Sequence, residues 1–239
     1  MNNSKAKPKL LFVVPWYFAI SPRNIRAQNM IKHLASAHQC HVLCFDIPVA
    51  YDIRAEAYIH KIQFTSFSKY VLQRRHFPNL KVPKPLLYIL KGLNYLLRKQ
   101  ILFPDNLIIE VRRISGALRT LDAKHKFDKI ILSVLPFSLL AVLKDREIRG
   151  RVISDIGDPL LREQVLRSPK RYEERYLRLA NKLIVTNENT RDFYIKRRAI
   201  PADEIFVVRQ GYDNRIFFNE NSSSDIDFQE LKLILTGAL

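Results

Sequence analysis

The sequence predicts an α/β chain built as a Rossmann-like, doubly wound parallel sheet. Three observations predict it. Short apolar runs of strand length recur, among them KLLFVV (Lys9–Val14), DKIILSV (Asp128–Val134) and IFVV (Ile205–Val208). Charged segments of helix length alternate with such runs, most clearly between Arg151 and Asp213. Polar residues gather where the runs end: Asp155 and Asp158, then Asn187, Glu188 and Asn189, then Gln210, Gly211, Tyr212 and Asp213. In doubly wound sheets the ligand side lies at the carboxyl ends of the strands, so these are the first candidate site residues.

Taken in order, Lys9–Val14 reads as strand one. Its continuation to Ile20 is apolar for eleven residues, too short to cross a bilayer and broken by Pro15. Lys5, Lys7 and Lys9 ahead of this run, and Ala19-x-Ser21 behind it, imitate a signal peptide. The same residues read better as a buried strand and a helix start, since Pro-Arg-Asn then opens a helix over Pro22–Ala37. Cys40–Phe45 reads as strand two and Lys61–Phe64 as strand three. Pro104–Lys124 reads as a helix with Asp105 as the favourable acid near its start. Strand four is Asp128–Val134, and SVLPFSLLAVLK adds a proline turn and a further helix. RVISDIGDP (Arg151–Pro159) is an apolar run ending in acid, and a charged segment spans Leu160–Leu179. LIVTN (Leu183–Asn187) is a strand, Glu188–Arg198 a helix, and Ile205–Val208 the last strand of the series. After Phe218 the polar stretch NENSSSD signals a linker, assigned to 219–230. LKLILTGAL (231–239) then begins another apolar strand.

Composition bounds the function. With 239 residues, 47% apolar and 26% charged, the chain has material for a sizeable core. Cys40 and Cys44 sit four apart in one strand, which places their Cα atoms about 13 Å apart and beyond disulfide reach. They are expected to be buried thiols in a reducing cytoplasm. His33, His38, Cys40, His41 and Cys44 concentrate ligand-type residues, but one strand cannot wrap them around an ion, so no metal is expected. No Ser-His-Asp or Cys-His arrangement, P-loop or G-x-G-x-x-G fingerprint is present.

The net charge is +17, and it is unevenly spread. Residues 57–104 contain no Asp or Glu and nine Lys or Arg. Three readings compete for this segment: surface decoration around a buried helix face, a peripheral membrane patch, and nucleic-acid binding. Cations beside an anionic leaflet contribute about 1 kcal/mol each. Arg74, Arg75, Lys81, Lys84, Lys91, Arg98 and Lys99 would form that patch, with Tyr88, Tyr95 and Phe103 suited to the interface. Nucleic acid is the weakest of the three, since no RNP, zinc-finger or helix-turn-helix pattern accompanies the charge.

DIGDP, RYLRLANKLIVTNENTRDFYI and EIFVVRQGYDNRIF together resemble the second half of the N-terminal domain of family-4 glycosyltransferases of the GT-B architecture. In that family a D-x-x-D-P strand end precedes E…A-D-x-I-I-V-T-S/N-E, and a later strand ends in N-G-[VY]-D…F. The likeness lies in order and spacing from Asp155 to Phe217. Two departures stand in it: Asn181 where an acid is usual, and Gln210 where Asn is usual. The turn PWYFAISPRN also lacks the glycine pair that many members carry near the donor phosphates. Phosphate contact there would fall to a side chain, with Arg26 the candidate, against the alternative of a solvent-facing helix arginine.

The resemblance implies one half of a GT-B fold, with residues 1–218 as the N-terminal, acceptor-side domain. It implies a retaining transferase moving a sugar from a nucleotide-sugar donor to a lipid-linked or polysaccharide acceptor. The donor is expected to bind a C-terminal domain, missing here beyond its first strand, or a separate chain carrying it; the isolated chain is expected to be inactive. No cofactor is expected on this lobe. Ser133 and Phe137 are implied as cleft residues, against the alternative that Phe137 packs the strand–helix junction. Asp155 and Asp158 read as ligands of acceptor hydroxyls or as loop anchors, Asp158 capping a helix after Pro159. Asn187, Glu188 and Gly211 complete the candidate acceptor set, although the helix dipole alone explains an acid at Glu188. The alternative is a non-catalytic module on the same fold that docks a membrane or partner. Either reading places the protein in the cytoplasm, on or near the inner face of the membrane.

Overall fold

The computed structural model describes residues 6–19, 21–47, 56–65, 103–160, 169–198 and 200–209. The basic residues from Arg74 to Lys99, Gly211, the linker 219–230 and the strand 231–239 lie outside the described residues, as does any helix directly after Pro159.

Seven strands form one sheet: β1 Lys9–Val13, β2 Gln39–Phe45, β3 Tyr58–Ile62, β4 Lys129–Ser133, β5 Val152–Ile156, β6 Lys182–Val185 and β7 Ile205–Val207. Their order is β3-β2-β1-β4-β5-β6-β7 and every neighbouring pair is parallel. Parallel strands covered on both faces must be apolar on both, and the central strands are. Leu11, Val42, Ile130, Leu132, Val152, Ile156 and Val185 are fully buried. The two edges differ, with Tyr58 on β3 and Phe206 on β7 more than half or half exposed. Strand order runs outward from β1 in one direction and from β4 in the other. The switch point therefore lies between β1 and β4, and in open sheets of this kind ligands bind beyond the carboxyl ends of such strands.

Four α-helices are described: α1 Pro22–Leu34, α2 Val111–His125, α3 Pro169–Leu177 and α4 Glu188–Arg198. Ser21 caps α1 by accepting from the Asn24 N–H, with Pro22 at the first turn, where its missing donor costs nothing. Asn187 caps α4 the same way, accepting from Thr190 N–H at 2.8 Å. Glu188 opens α4, and Lys196, Arg197 and Arg198 close it, in keeping with the helix dipole. α2 ends on Lys126 in the left-handed region (φ 55°), whose N–H returns to the Asp122 carbonyl.

Three expectations need correction. Strand three lies at Tyr58–Ile62 rather than Lys61–Phe64. As an edge strand its half-exposed YIHKI mixes apolar and basic residues, which hides it from a search for apolar runs. The helix expected from Pro104 begins as a 3-10 turn, Asn106–Glu110, and becomes α-helical only at Val111. Asp105 does cap that entry, accepting from Leu107 N–H. The segment after Pro136 is 3-10 over Phe137–Lys144, buried from Phe137 to Leu143. Its start is fixed by the Asp105 carboxylate, which accepts from Ser138 N–H at 2.9 Å and Ser138 Oγ–H at 2.6 Å.

Candidate functional site at the strand ends

β4 and β5 lie in register so that Ser133 stands beside Asp155. Both side chains are buried, at 3% and 2% exposure. α1 starts in the loop after β1 and carries Arg26 over this point. Arg26 Nε donates to both Asp155 carboxylate oxygens at 3.1 Å, and Nη2 donates to Oδ1 at 3.0 Å. Arg26 is itself 5% exposed, which corrects the solvent-facing alternative. Such a fork-to-carboxylate contact needs the planar guanidinium, and lysine could not reproduce it.

Arg23, one turn earlier on the same face of α1, was not singled out by the sequence reading. Its i, i+3 spacing to Arg26 was the available signal. Arg23 Nη1 donates to the carbonyls of Val134 and Asp155, each at 3.4 Å. A Cβ on Gly157 would stand 2.5 Å from Arg23 Nη2, so a glycine makes room for this close approach. Burial lowers the pKa of Arg23 from its ordinary value, while Asp155 and then Asp158 oppose that shift. Two guanidiniums and the Asp155 carboxylate thus meet where β4 and β5 end, and Asp158 acts on Arg23 through its charge alone.

Asp158 is exposed and stands at the rim of this group. Asn187 and Glu188 are exposed at the end of β6. Asn187 is occupied locally: its Oδ1 caps α4, and its Nδ2 donates to Thr186 Oγ1 at 3.1 Å. Thr186 Oγ1 in turn donates to the Gly157 carbonyl at 3.2 Å, tying the ends of β5 and β6 together. Glu188 pairs with Arg191 at 3.6 Å, a surface contact of little energetic weight. Phe137 is buried at the base of the loop after β4, where Leu135 points outward at 49% exposure. Ser133, Asp155 and Arg26 are therefore brought together. Asp158 joins them at the rim, and Asn187 and Glu188 lie along the neighbouring strand end.

A second buried network supports the rim from behind. Glu173 of α3 is fully buried, in the segment the sequence reading took only as charged. Its Oε1 accepts from the Leu160 N–H at 2.8 Å and from the Tyr194 hydroxyl at 3.0 Å, and its Oε2 from Arg198 Nε at 2.9 Å. Burial, and then the Glu173 charge, raise the Tyr194 pKa well above its ordinary value. The chain leaving β5 is thus anchored to α3 and α4.

The ligand-type residues concentrated at 33–44 are not gathered into one group. Instead His41 is grouped with His60 and His125 at the opposite, amino-terminal end of the sheet. Burial, then His125 and His60, hold the His41 pKa down to about 4.

No protein-family model matches the chain, and no curated protein sequence matches it. Solved structures do. Sucrose-phosphate synthase from Thermosynechococcus elongatus superposes with a TM-score of 0.54 at 11% identity, covering 88% of this chain and 50% of that one. Anabaena Alr3699/HepE in complex with UDP gives a TM-score of 0.50 at 12% identity, covering 87% of this chain and 46% of that one. Medicago truncatula UGT71G1, complexed with UDP-glucose, is matched at 0.46 and 12% identity over 87% of this chain and 53% of that one. The chain spans about half the length of each. Its seven-stranded parallel sheet has the fold of one half of a GT-B glycosyltransferase. Among the described residues no helix is long and apolar enough to cross a membrane.

Proposed function

We propose that this lobe is the acceptor side of a retaining, family-4-like glycosyltransferase, which moves a sugar from a nucleotide-sugar donor to a lipid-linked or polysaccharide acceptor. A second Rossmann-like lobe, in the same or a separate chain, would hold the donor. The observation that carries the reading is the switch point between β1 and β4, on a sheet with the GT-B half-fold, where Arg23, Arg26 and Asp155 are bonded together at the strand ends with Asp158 exposed beside them. In that reading Asp158, Asn187 and Glu188 face the acceptor, while Ser133, Phe137, Asp155 and Arg26 form the floor beneath it; Gly211, the remaining candidate, lies outside the described residues. Floor residues act by holding the rim in one geometry, which is what orientation of a reactant demands. The acid-free segment 57–104, with nine Lys or Arg, supports a place on the inner, anionic face of a membrane, where a lipid-linked acceptor would lie.

A second reading, a non-catalytic docking module, is favoured by one observation: both Asp155 oxygens are already engaged by Arg26. The full chain should be tested by saturation-transfer NMR against lipid-linked saccharides in detergent and against UDP. Saccharide signals that disappear in Asp158→Ala, with UDP bound weakly, are expected. Tight UDP binding to this lobe, or saccharide binding indifferent to Asp158, would refute the assignment of sides. Co-sedimentation with anionic and neutral vesicles, with duplex DNA as competitor, tests the membrane reading; binding to DNA alone would remove it.

A further inference from the structure

Three histidines meet far from the strand-end rim. His41 lies on β2, His60 on the edge strand β3, and His125 is the last residue of α2. One ring nitrogen from each lies within 4.8 Å of one from the other two. His41 Nδ1 and His60 Nε2 are 2.9 Å apart, and their rings stack at 5.2 Å between centroids. The His125 ring stands 4.7 Å from that of His41 and 5.5 Å from that of His60. His41 is 2% exposed, and Nε2 of both His41 and His125 is buried without a hydrogen-bond partner. Buried polar atoms normally find partners, and an ion held by the group would give one to His125 Nε2; His41 Nε2 points away from the Nδ1 that faces His60 and is not what such an ion would satisfy.

We propose that His41, His60 and His125 form a binding site for a transition-metal ion of the zinc type. The donor set selects the class: three imidazoles and no carboxylate suit Zn(II), Ni(II) or Cu(II) and do not suit Mg(II) or Ca(II). Distances are near what such an ion needs. Two ligands held about 2.0–2.1 Å from a tetrahedral ion stand roughly 3.3 Å apart. His41 and His60 have only to open slightly from 2.9 Å, the ion replacing the one proton that fits between them. Nitrogens up to 4.8 Å apart must come in to roughly 3.3 Å, a movement that falls to His60 and His125, the two partly buried rings. The fourth position falls to water. Lys9 and Lys124 are the cations near the group and oppose any positive ion, so the bonds to nitrogen must carry the affinity. Tyr58 stacks on His41 at 4.8 Å from the exposed side, and Phe127 meets it edge-on at 5.0 Å. A bound ion would clip the edge strand β3 to both β2 and α2.

The test is titration of the EDTA-treated full chain with Zn(II), followed by calorimetry, and with Co(II), followed by visible absorption. Saturable one-to-one binding and the intense absorption of tetrahedral Co(II) are expected, with no response to Mg(II). His60→Gln and His125→Gln should each weaken binding about tenfold or more, while the surface pair His33→Gln/His38→Gln should not. Absence of saturable Zn(II) binding to the parent chain would overturn the site. So would binding that survives both His60→Gln and His125→Gln, or that is lost only with His33 and His38.

Discussion

The Arg26–Asp155 pair offers the sharpest perturbation. Asp155→Asn keeps shape and volume but leaves a buried guanidinium without a counter-charge. Removing one partner of a buried ion pair costs about 3–5 kcal/mol. For a chain of this size each kcal/mol moves the unfolding midpoint by about 2–4 °C, so the variant should melt about 6–20 °C below the parent. Arg23 does not compensate, because its hydrogen bonds here go to the Val134 and Asp155 carbonyls. The double variant Arg26→Met/Asp155→Leu removes both charges. Well-packed apolar replacement of a buried pair is often neutral or stabilising, so it should regain most of the loss. Thermal unfolding followed by circular dichroism reads all three proteins. If Asp155→Asn melts within about 2 °C of the parent, or the double variant melts below the single one, the pair is not a structural floor.

The remaining predictions concern the supports. Asp122 accepts from Arg151 Nη1 at 2.8 Å and Nη2 at 2.7 Å, and these bonds hold its pKa below the usual carboxylate value. A depressed folded pKa gives stability that is present above the unfolded pKa near 3.8 and lost as pH falls through the folded one. Asp122→Asn should therefore cost about 1–2 kcal/mol at neutral pH, with parent and variant urea midpoints converging below about pH 4. Tyr194→Phe removes one of three donors to Glu173 and should cost about 1 kcal/mol in the same assay, since Leu160 and Arg198 still serve the carboxylate. Burial pushes the Cys44 thiol up to about 12 and also raises that of Cys40. Both should be silent to a thiol reagent in the native chain and react once it is denatured; a fast native reaction would contradict their burial.

Some of this was legible in the sequence and some was not, for identifiable reasons. β1, β2, β4 and β5 could be read because a strand buried on both faces is a near-continuous apolar run, as in Ile130–Leu132 of β4 and Val42–Phe45 of β2. α4 was read to the residue, since a capping Asn187, an opening acid and three closing cations mark both its ends. β3 slipped by three residues at its start because nothing forces an edge strand to be apolar. The partners of the ion pair are 129 residues apart, so no local pattern joins Arg26 to Asp155. Glu173 looked like one more acid in a solvated segment; only the packing of α3 against α4 shows it to be the anchor of the chain after β5. His60 and His125 were likewise invisible as partners of His41, because the sheet register and the end of α2 bring them together.

The strand-end site then separates into parts that should answer differently to mutation. Arg26, Asp155, Ser133 and Phe137 are buried, and substituting them trades away packing and charge pairing before it touches any ligand. Asp158 is exposed and reaches Arg23 only through a long-range attraction, so Asp158→Ala should leave the melting temperature within about 2 °C of the parent. Asn187 is the intermediate case. Its side chain caps α4, so Asn187→Ala should cost about 1 kcal/mol, and Asn187→Asp, which keeps the capping oxygen, should restore it. If the rim binds an acceptor, Asp158→Ala loses saccharide affinity without losing stability, while Asn187→Asp keeps stability and reports only on contacts made by the amide. A result in which affinity tracks stability across all three variants would mean that the rim has no recognition role apart from holding the fold.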